Sequence, residues 1–316
     1  MSKTDDLSLL YRIARNYYIN NLSQVEIAKA ESISRPQISR FIRRAKELGI
    51  VKIIITPPDI PDIVSLQNKL EKALGLDAVH ISPSIKKEKE NTAGFILSAA
   101  ACLSDKLVDF ENVGIGWGKS IYYTSFQLSS KTENKKLTFY PVVGNSGVSV
   151  PYYQINSITD RFAEKFRAKA YFTQSLFLTP VNQVSDLDKE RLTYLQACWQ
   201  KLDAVVIGLG GRIISPKIDI DEMPAVIQES LLLQHTIGDI YGNFFQNDGT
   251  FFNYPEDYHL TALAPEALKQ IDQVFCIATG PHKIDAIIHA ALNGYTKTLI
   301  TDDLTAKGIL ESIKSQ

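Results

Sequence analysis

The chain has 316 residues, a formal net charge of -1, 45% hydrophobic residues and a mean hydropathy of -0.07. That length is too great for one small module and fits a headpiece joined to a larger domain, and no apolar run approaches the roughly 20 residues of a membrane span. The three scattered cysteines (Cys102, Cys198 and Cys276) argue for reduced, mostly buried thiols rather than a disulfide framework.

The opening MSKTDDLSLLYRIARNYY carries early acids and lacks a signal-peptide core, so a cytoplasmic protein is expected. No His/Cys pair has zinc-ligand spacing and the five histidines are scattered, so no metal is expected. Charge is unevenly spread. Residues 1–56 carry ten Lys/Arg against five Asp/Glu, a net of +5, which leaves -6 on the rest. Only the short end therefore suits a polyanion.

Leu7, Leu10, Ile13, Ala14 and Tyr17 recur at helical spacing and predict a helix over residues 5–20. Ser23-Gln-Val-Glu26 then fits a capping box, and Ser34-Arg-Pro-Gln37 repeats it with Pro36 in the first turn, where a missing N–H costs nothing. Leu22 with Ile27, and Ile33 with Ile38, supply a hydrophobic staple for each start. Two starts eleven residues apart leave room for one two-turn helix and a short joint, which predicts a helix-turn-helix. The joint reads Glu31-Ser32-Ile33 where glycine is usual, at a cost of about 1 kcal/mol for a left-handed serine.

The expected inward set is Val25, Ile27, Ala28, Ile33, Ile38, Phe41, Ile42 and Ala45. Four arginines within ten residues remain outside it. Arg and Gln make paired hydrogen bonds with guanine and adenine edges, so Arg35, Gln37, Ser39 and Arg40 are assigned to bases. Gln24, Arg43 and Arg44 are assigned to phosphates, and Ser34 joins the DNA-facing set at the helix start. Any single arginine here could equally be a solvated charge. Gly49 ends the second helix, and IVKIIIT (50–56) alternates like a wing strand.

TPPDIPD (56–62) packs three prolines into seven residues and reads as a linker over 57–62 between a headpiece (1–56) and a large domain (63–316). Beyond it, apolar strand runs alternate with helical patterns, which predicts an α/β domain with a parallel sheet covered on both faces. Ligands of such sheets gather at the carboxyl ends of the strands.

Gly114-Ile-Gly116-Trp-Gly118-Lys119-Ser120 follows a strand and opens a helix, where backbone amides can meet an anion beside the side chains of Lys119 and Ser120. It is neither a P-loop nor a dinucleotide fingerprint, and a plain tight turn fits it too. Gly144-Asn145 and Gly208-Leu-Gly210-Gly211-Arg212 also end strands, and simple turns account for them as well. Lys283, in Ala278-Thr-Gly280-Pro-His282-Lys283, stands at the start of an apolar helix, where a cation opposes the dipole unless an anion arrives.

LSQVEIAKAESISRPQISRFIRRAKELGIVKI, VGIGWGKSI, IGDIYGNFFQNDG (237–249) and the C-terminal VFCIATGPHKIDAIIHAALNGYTKTLITDDLTAKGIL together resemble the SorC family of bacterial sugar-responsive transcriptional regulators. The likeness spans nearly the whole chain, with little contribution from residues 150–205. It implies a winged helix-turn-helix on a Rossmann-like effector domain similar to sugar-phosphate isomerases and deaminases. Such regulators bind a sugar, often phosphorylated, at the strand ends.

Carried over by position, Gly116, Gly118 and Ser120 surround a phosphate, Asp239 meets sugar hydroxyls and Lys283 meets phosphate. Lys119 and Gly144 complete the expected effector set. The chain departs at Gly144-Asn145, where a Gly-Gly pair is usual, and at Ala278-Thr279-Gly280, where many members have adjacent glycines. The resemblance also implies homodimers or homotetramers on palindromic operators. The expected function is an effector-controlled DNA-binding regulator with no cofactor. The rival is a sugar-phosphate isomerase or deaminase, which would draw an acid/base from Asp239, Asp302 and Asp303.

Overall fold

Leu10, Ile13 and Ala14 line one face of α1 (Leu7–Tyr18) and are buried there. Helices α2 (Gln24–Glu31) and α3 (Arg35–Glu47) close over that face with Ile27, Ile38, Phe41 and Ile42, while Leu22, Ala28 and Ile33 are half-buried at the rim. The computed structural model describes residues 6–51, 61–84, 88–130, 134–147, 149–213 and 223–315. Most of the expected wing (50–56) and of the linker (57–62) falls outside the described residues; Pro61 and Asp62 already belong to a helix. The chain divides into two units, Met1–Thr56 and Pro57–Gln316.

Two members of the predicted apolar sets are corrected. Val25 is 59% exposed and Leu7 61% exposed. Val25 and Ile27 are two positions apart on a helix, so they point to nearly opposite sides and only one can face the core. Leu7 is the first residue of α1, one turn outside the buried face.

The local signals do form the expected ends. Ser23 N–H donates to Glu26 Oε2 at 2.8 Å, and Glu26 N–H returns to Ser23 Oγ at 3.3 Å. The second box is one-sided: Ser34 N–H and Oγ–H donate to Gln37 Oε1 at 3.4 and 2.9 Å, while Gln37 N–H takes the Ser34 carbonyl. Ser32 adopts φ 53°, ψ 40° at the joint, the left-handed conformation expected of it. Arg12 makes a two-pronged bond to Glu31, both contacts 2.8 Å, and ties α1 to the end of α2.

In the second unit, seven strands form one parallel sheet. They are β1 (Ala78–Ser82), β2 (Asn112–Ile115), β3 (Thr138–Pro141), β4 (Lys169–Ala170), β6 (Ala204–Gly210), β10 (Gln273–Ile277) and β11 (Thr298–Asp302), in the spatial order β1-β11-β10-β6-β2-β3-β4. Four consecutive residues of β6, Ala204 to Ile207, are fully buried. Successive residues of a strand face opposite sides, so both faces of the sheet are covered.

The intervening helices are α4 (Pro61–Leu74), α5 (Glu88–Lys106), α6 (Lys119–Gln127), α7 (Ile155–Phe166), α8 (Asp186–Trp199), α9 (Ala225–Leu233), α10 (Pro265–Leu268), α11 (Ile284–Leu292) and α12 (Asp303–Ser315). An antiparallel hairpin, β7 (Gly238–Ile240) and β8 (Asn243–Phe245), extends the end of β6 by pairing Leu209 with Ile240 and Gly210 with Asp239. A separate antiparallel pair joins β5 (Leu178–Pro180) and β9 (Tyr258–Leu260).

From β2 the chain steps outward through β3 to β4. It then returns to the other side of β2 as β6 and steps away through β10 and β11. The order reverses between β2 and β6, and a crevice outside the carboxyl ends of these two strands is where an open sheet of this kind binds ligands.

Candidate functional site

Helix α3 buries Ile38, Phe41, Ile42 and Ala45, so the rest of its surface points away from the headpiece core. Arg35, Gln37, Arg40, Arg43 and Arg44 are exposed, as is Ser34, whereas Ser39 and Gln24 are half-buried. Arg44 pairs with Glu47 at 3.1 Å across one helical turn with both groups about half exposed, an arrangement that a phosphate displaces at little cost. Arg35, Arg40 and Arg43 have no carboxylate partner among the described residues. Gln37 differs from them. Its amide oxygen is held by Ser34, so reading an adenine edge with both oxygen and nitrogen requires it to leave the cap.

The second site is built where β2 and β6 end. Gly116 N–H continues the ladder to the Val206 carbonyl at 2.9 Å, and Trp117 is buried against Tyr153 and Phe177. Gly118, at φ 128°, turns the chain into α6, a conformation that side chains larger than hydrogen rarely adopt. No side chain caps α6, so the amides of Lys119 and Ser120 face outward from its positive end. Lys119 Nζ lies 5.2 Å from the centre of the Tyr152 ring.

Facing this loop is Asp239. A Cβ on Gly210, its ladder partner, would fall on Asp239 Oδ1. Asp239 Oδ2 accepts the Gly242 N–H at 2.8 Å. Burial pushes the Asp239 carboxyl above the usual range, against the opposing pull of Gly242 N–H and Lys283. Burial likewise lowers the Lys283 ammonium, Asp239 draws it back up, and Lys119 lowers it again. Two cations and one carboxylate therefore share one field, with one positive charge left over for an anionic ligand.

The turn carrying Lys283 is fixed by its own bonds. Thr279 Oγ1 is 2.5 Å from Asp302 Oδ2, Gly280 N–H donates to Thr305 Oγ1 at 2.8 Å, and Thr305 N–H donates to Asp302 Oδ1 at 2.7 Å. A Cβ on Gly211 would meet the His282 carbonyl at 2.5 Å, so the loops after β6 and β10 touch. Asp303 accepts from Ser84 N–H and Lys307 Nζ, both at 2.7 Å. Asp302 and Asp303 are thus spent on shaping the strand ends.

Of the residues expected from sequence, Gly116, Gly118, Lys119, Ser120, Asp239 and Lys283 all lie on the loops around this crevice. Gly144 serves a different purpose. Its N–H is given to the Thr261 carbonyl at 2.8 Å, and a Cβ there would come within 2.6 Å of the Leu176–Phe177 backbone. It permits a chain crossing and has no amide to offer a ligand.

Sequence reasoning missed Gly210, Tyr241 and Tyr254. Only the Tyr241-Gly242 pair had a local signal, a glycine turn between two short apolar runs. Gly210→Ala is expected to displace Asp239, because overpacking at a contact this close has no slack to absorb it. A sugar or sugar-phosphate titration followed by melting temperature should then show at least a tenfold weaker response; an unchanged response refutes this placement of Asp239.

Comparison with known proteins fits this geometry. The family model described as "Putative sugar-binding domain" matches residues 59–311. The sorbitol operon regulator of Klebsiella pneumoniae is 24% identical over 316 residues, covering 98% of this chain and 100% of that protein. The deoxyribonucleoside regulator of Bacillus subtilis is 24% identical over 311 residues, covering 95% of this chain and 96% of that protein. The crystal structure of the full-length sorbitol operon regulator SorC from Klebsiella pneumoniae superposes with a TM-score of 0.74 at 24% identity, over 97% of this chain and 99% of that one. A transcriptional regulator from Streptococcus pneumoniae TIGR4 gives 0.71 at 24% identity, over 80% of this chain and 98% of that one. With the matched region covering most of its length, the chain belongs to the sugar-binding domain family of SorC-type transcriptional regulators.

Proposed function

We propose that this chain regulates transcription of a carbohydrate-utilisation operon, with α3 contacting operator DNA and the crevice between β2 and β6 receiving a sugar or sugar phosphate. The observation that carries the effector half is the convergence of Lys119, Lys283 and Asp239 on an uncapped helix start. It suits a ligand with both an anionic group and hydroxyls, as the names of the sorbitol and deoxyribonucleoside regulators suggest for those relatives. The DNA half rests on three unpaired, outward arginines on α3.

In this reading the effector binds one conformational state of the large unit better than another, and the difference, about 1–3 kcal/mol, alters DNA affinity. Two headpieces related by a two-fold axis suit a palindromic operator, and a homodimer or homotetramer supplies them. No metal or other cofactor is needed. The protein is a regulator and not an enzyme; Asp302 and Asp303, the carboxylates an isomerase would need, are occupied by backbone and side-chain partners.

Two measurements test the proposal together. Melting temperature across a panel of sugars and their monophosphates should rise with at least one member. Gel-shift affinity for operator DNA should fall steeply with salt, by about 0.9 logarithmic units per tenfold salt for each phosphate neutralised. A chain that no sugar stabilises and whose DNA binding ignores salt would overturn both halves.

A further inference from the structure

The β7–β8 hairpin turns through two residues, Tyr241 and Gly242, between the paired Ile240 and Asn243. Both have positive φ, 38° and 91°, the pattern of a tight hairpin turn whose first position normally takes Asn, Asp or Gly. An aromatic residue there is held against its backbone preference. The ring is 1% exposed, and it packs on the loop after β2: a Cβ on Gly116 would stand 3.5 Å from Tyr241 Cδ1.

Burial of the ring compensates for the backbone, but it does not account for the hydroxyl. Tyr241 Oη is buried and has no hydrogen-bond partner among the described residues. A phenylalanine would fill the same space without leaving a polar group stranded, which is normally avoided. The same turn also holds the ligand-facing carboxylate, since Gly242 N–H bonds Asp239 Oδ2 and the Gly242 carbonyl accepts from Tyr254 Oη at 2.7 Å. A strained backbone and an unsatisfied hydroxyl thus coincide two residues from Asp239.

We propose that Tyr241 is a specificity-determining residue of the effector crevice, its phenol hydrogen-bonding an oxygen of a polyhydroxylated ligand that enters beside Gly116. The partner it lacks is then supplied by the effector. Because the hydroxyl sits on the hairpin turn, ligand binding relaxes the turn that also orients Asp239. This rests on the proposed sugar-responsive function and adds a particular contact to it.

The test uses the full-length chain and its Tyr241→Phe variant, melted without ligand and in the presence of hexose, hexitol and pentose monophosphates, with inorganic phosphate as a control. Removing a stranded hydroxyl should leave the unliganded variant as stable as the parent or raise its melting temperature by a few degrees. The half-saturating concentration of the stabilising sugar phosphate should rise about tenfold, while any response to inorganic phosphate stays as it was. A sugar-phosphate response equal to the parent's overturns the proposal. So does a variant of lower stability, since the hydroxyl would then already have a structural partner. A parent chain stabilised by no member of the panel removes the effector reading itself, and this inference with it.

Discussion

Arg40→Ala is expected to weaken operator binding by roughly ten- to a hundredfold and to relax sequence preference at one base-pair position, the cost of losing one paired contact to a base edge. The side chain is exposed six residues after the Ser34 cap, on the face of α3 opposite the buried Phe41, Ile42 and Ala45. No carboxylate holds it among the described residues. Folding should therefore be unaffected, and melting temperature is the control. Arg43→Ala gives the contrast: assigned to phosphate, it should weaken all DNA sequences alike and reduce the slope of affinity against salt by about one phosphate equivalent. Gel-shift titrations against operator and scrambled duplexes at several salt concentrations separate the two. Unchanged affinity and preference in the Arg40 variant would refute the docking of α3 that the DNA half of the function requires.

Much of the headpiece was legible because its signals are local. A capping box involves residues three apart, so Ser23 with Glu26 could be read directly, as could the pressure on Ser32 to adopt a left-handed turn. The same spacing did not show that Gln37 would be held by Ser34 through its side-chain oxygen alone, because a box and a base-reading glutamine look identical in sequence. Val25 was misplaced for a geometric reason: apolar character alone does not say which of two residues 200° apart on a helix meets the neighbours.

In the large unit, glycine-edged strand ends identified the correct edge of the sheet. They did not reveal which loops meet. Gly210 and Asp239 are 29 positions apart in the chain yet face each other across a ladder, and neither stretch states that register. Gly144 looked like a ligand loop because a close chain crossing and a close ligand approach both demand a residue without a Cβ. The distinction lies in where its N–H goes, and only coordinates show that it goes to Thr261.

Lys283→Met carries the largest expected effect on the effector side. The lysine is held near Asp239 and Lys119 with its ammonium lowered chiefly by burial, so it gains most when an anion arrives. Losing that charge-assisted contact should weaken the response to sugar monophosphates on the order of a hundredfold, with much less change for a neutral sugar. The variant also removes the cation that holds the Asp239 carboxyl down, so a carboxyl already raised by burial moves higher still. A carboxyl with a raised folded pKa binds protons more readily in the native state, and its burdened, ionised form costs stability as pH rises above its unfolded value near 4. Relative to the parent, the variant should consequently look best in mild acid and progressively worse towards pH 8. Melting curves of both proteins at several pH values would show this trend. A pH-independent difference would mean that Asp239 and Lys283 do not share a field, and that the anion has some other cation to meet.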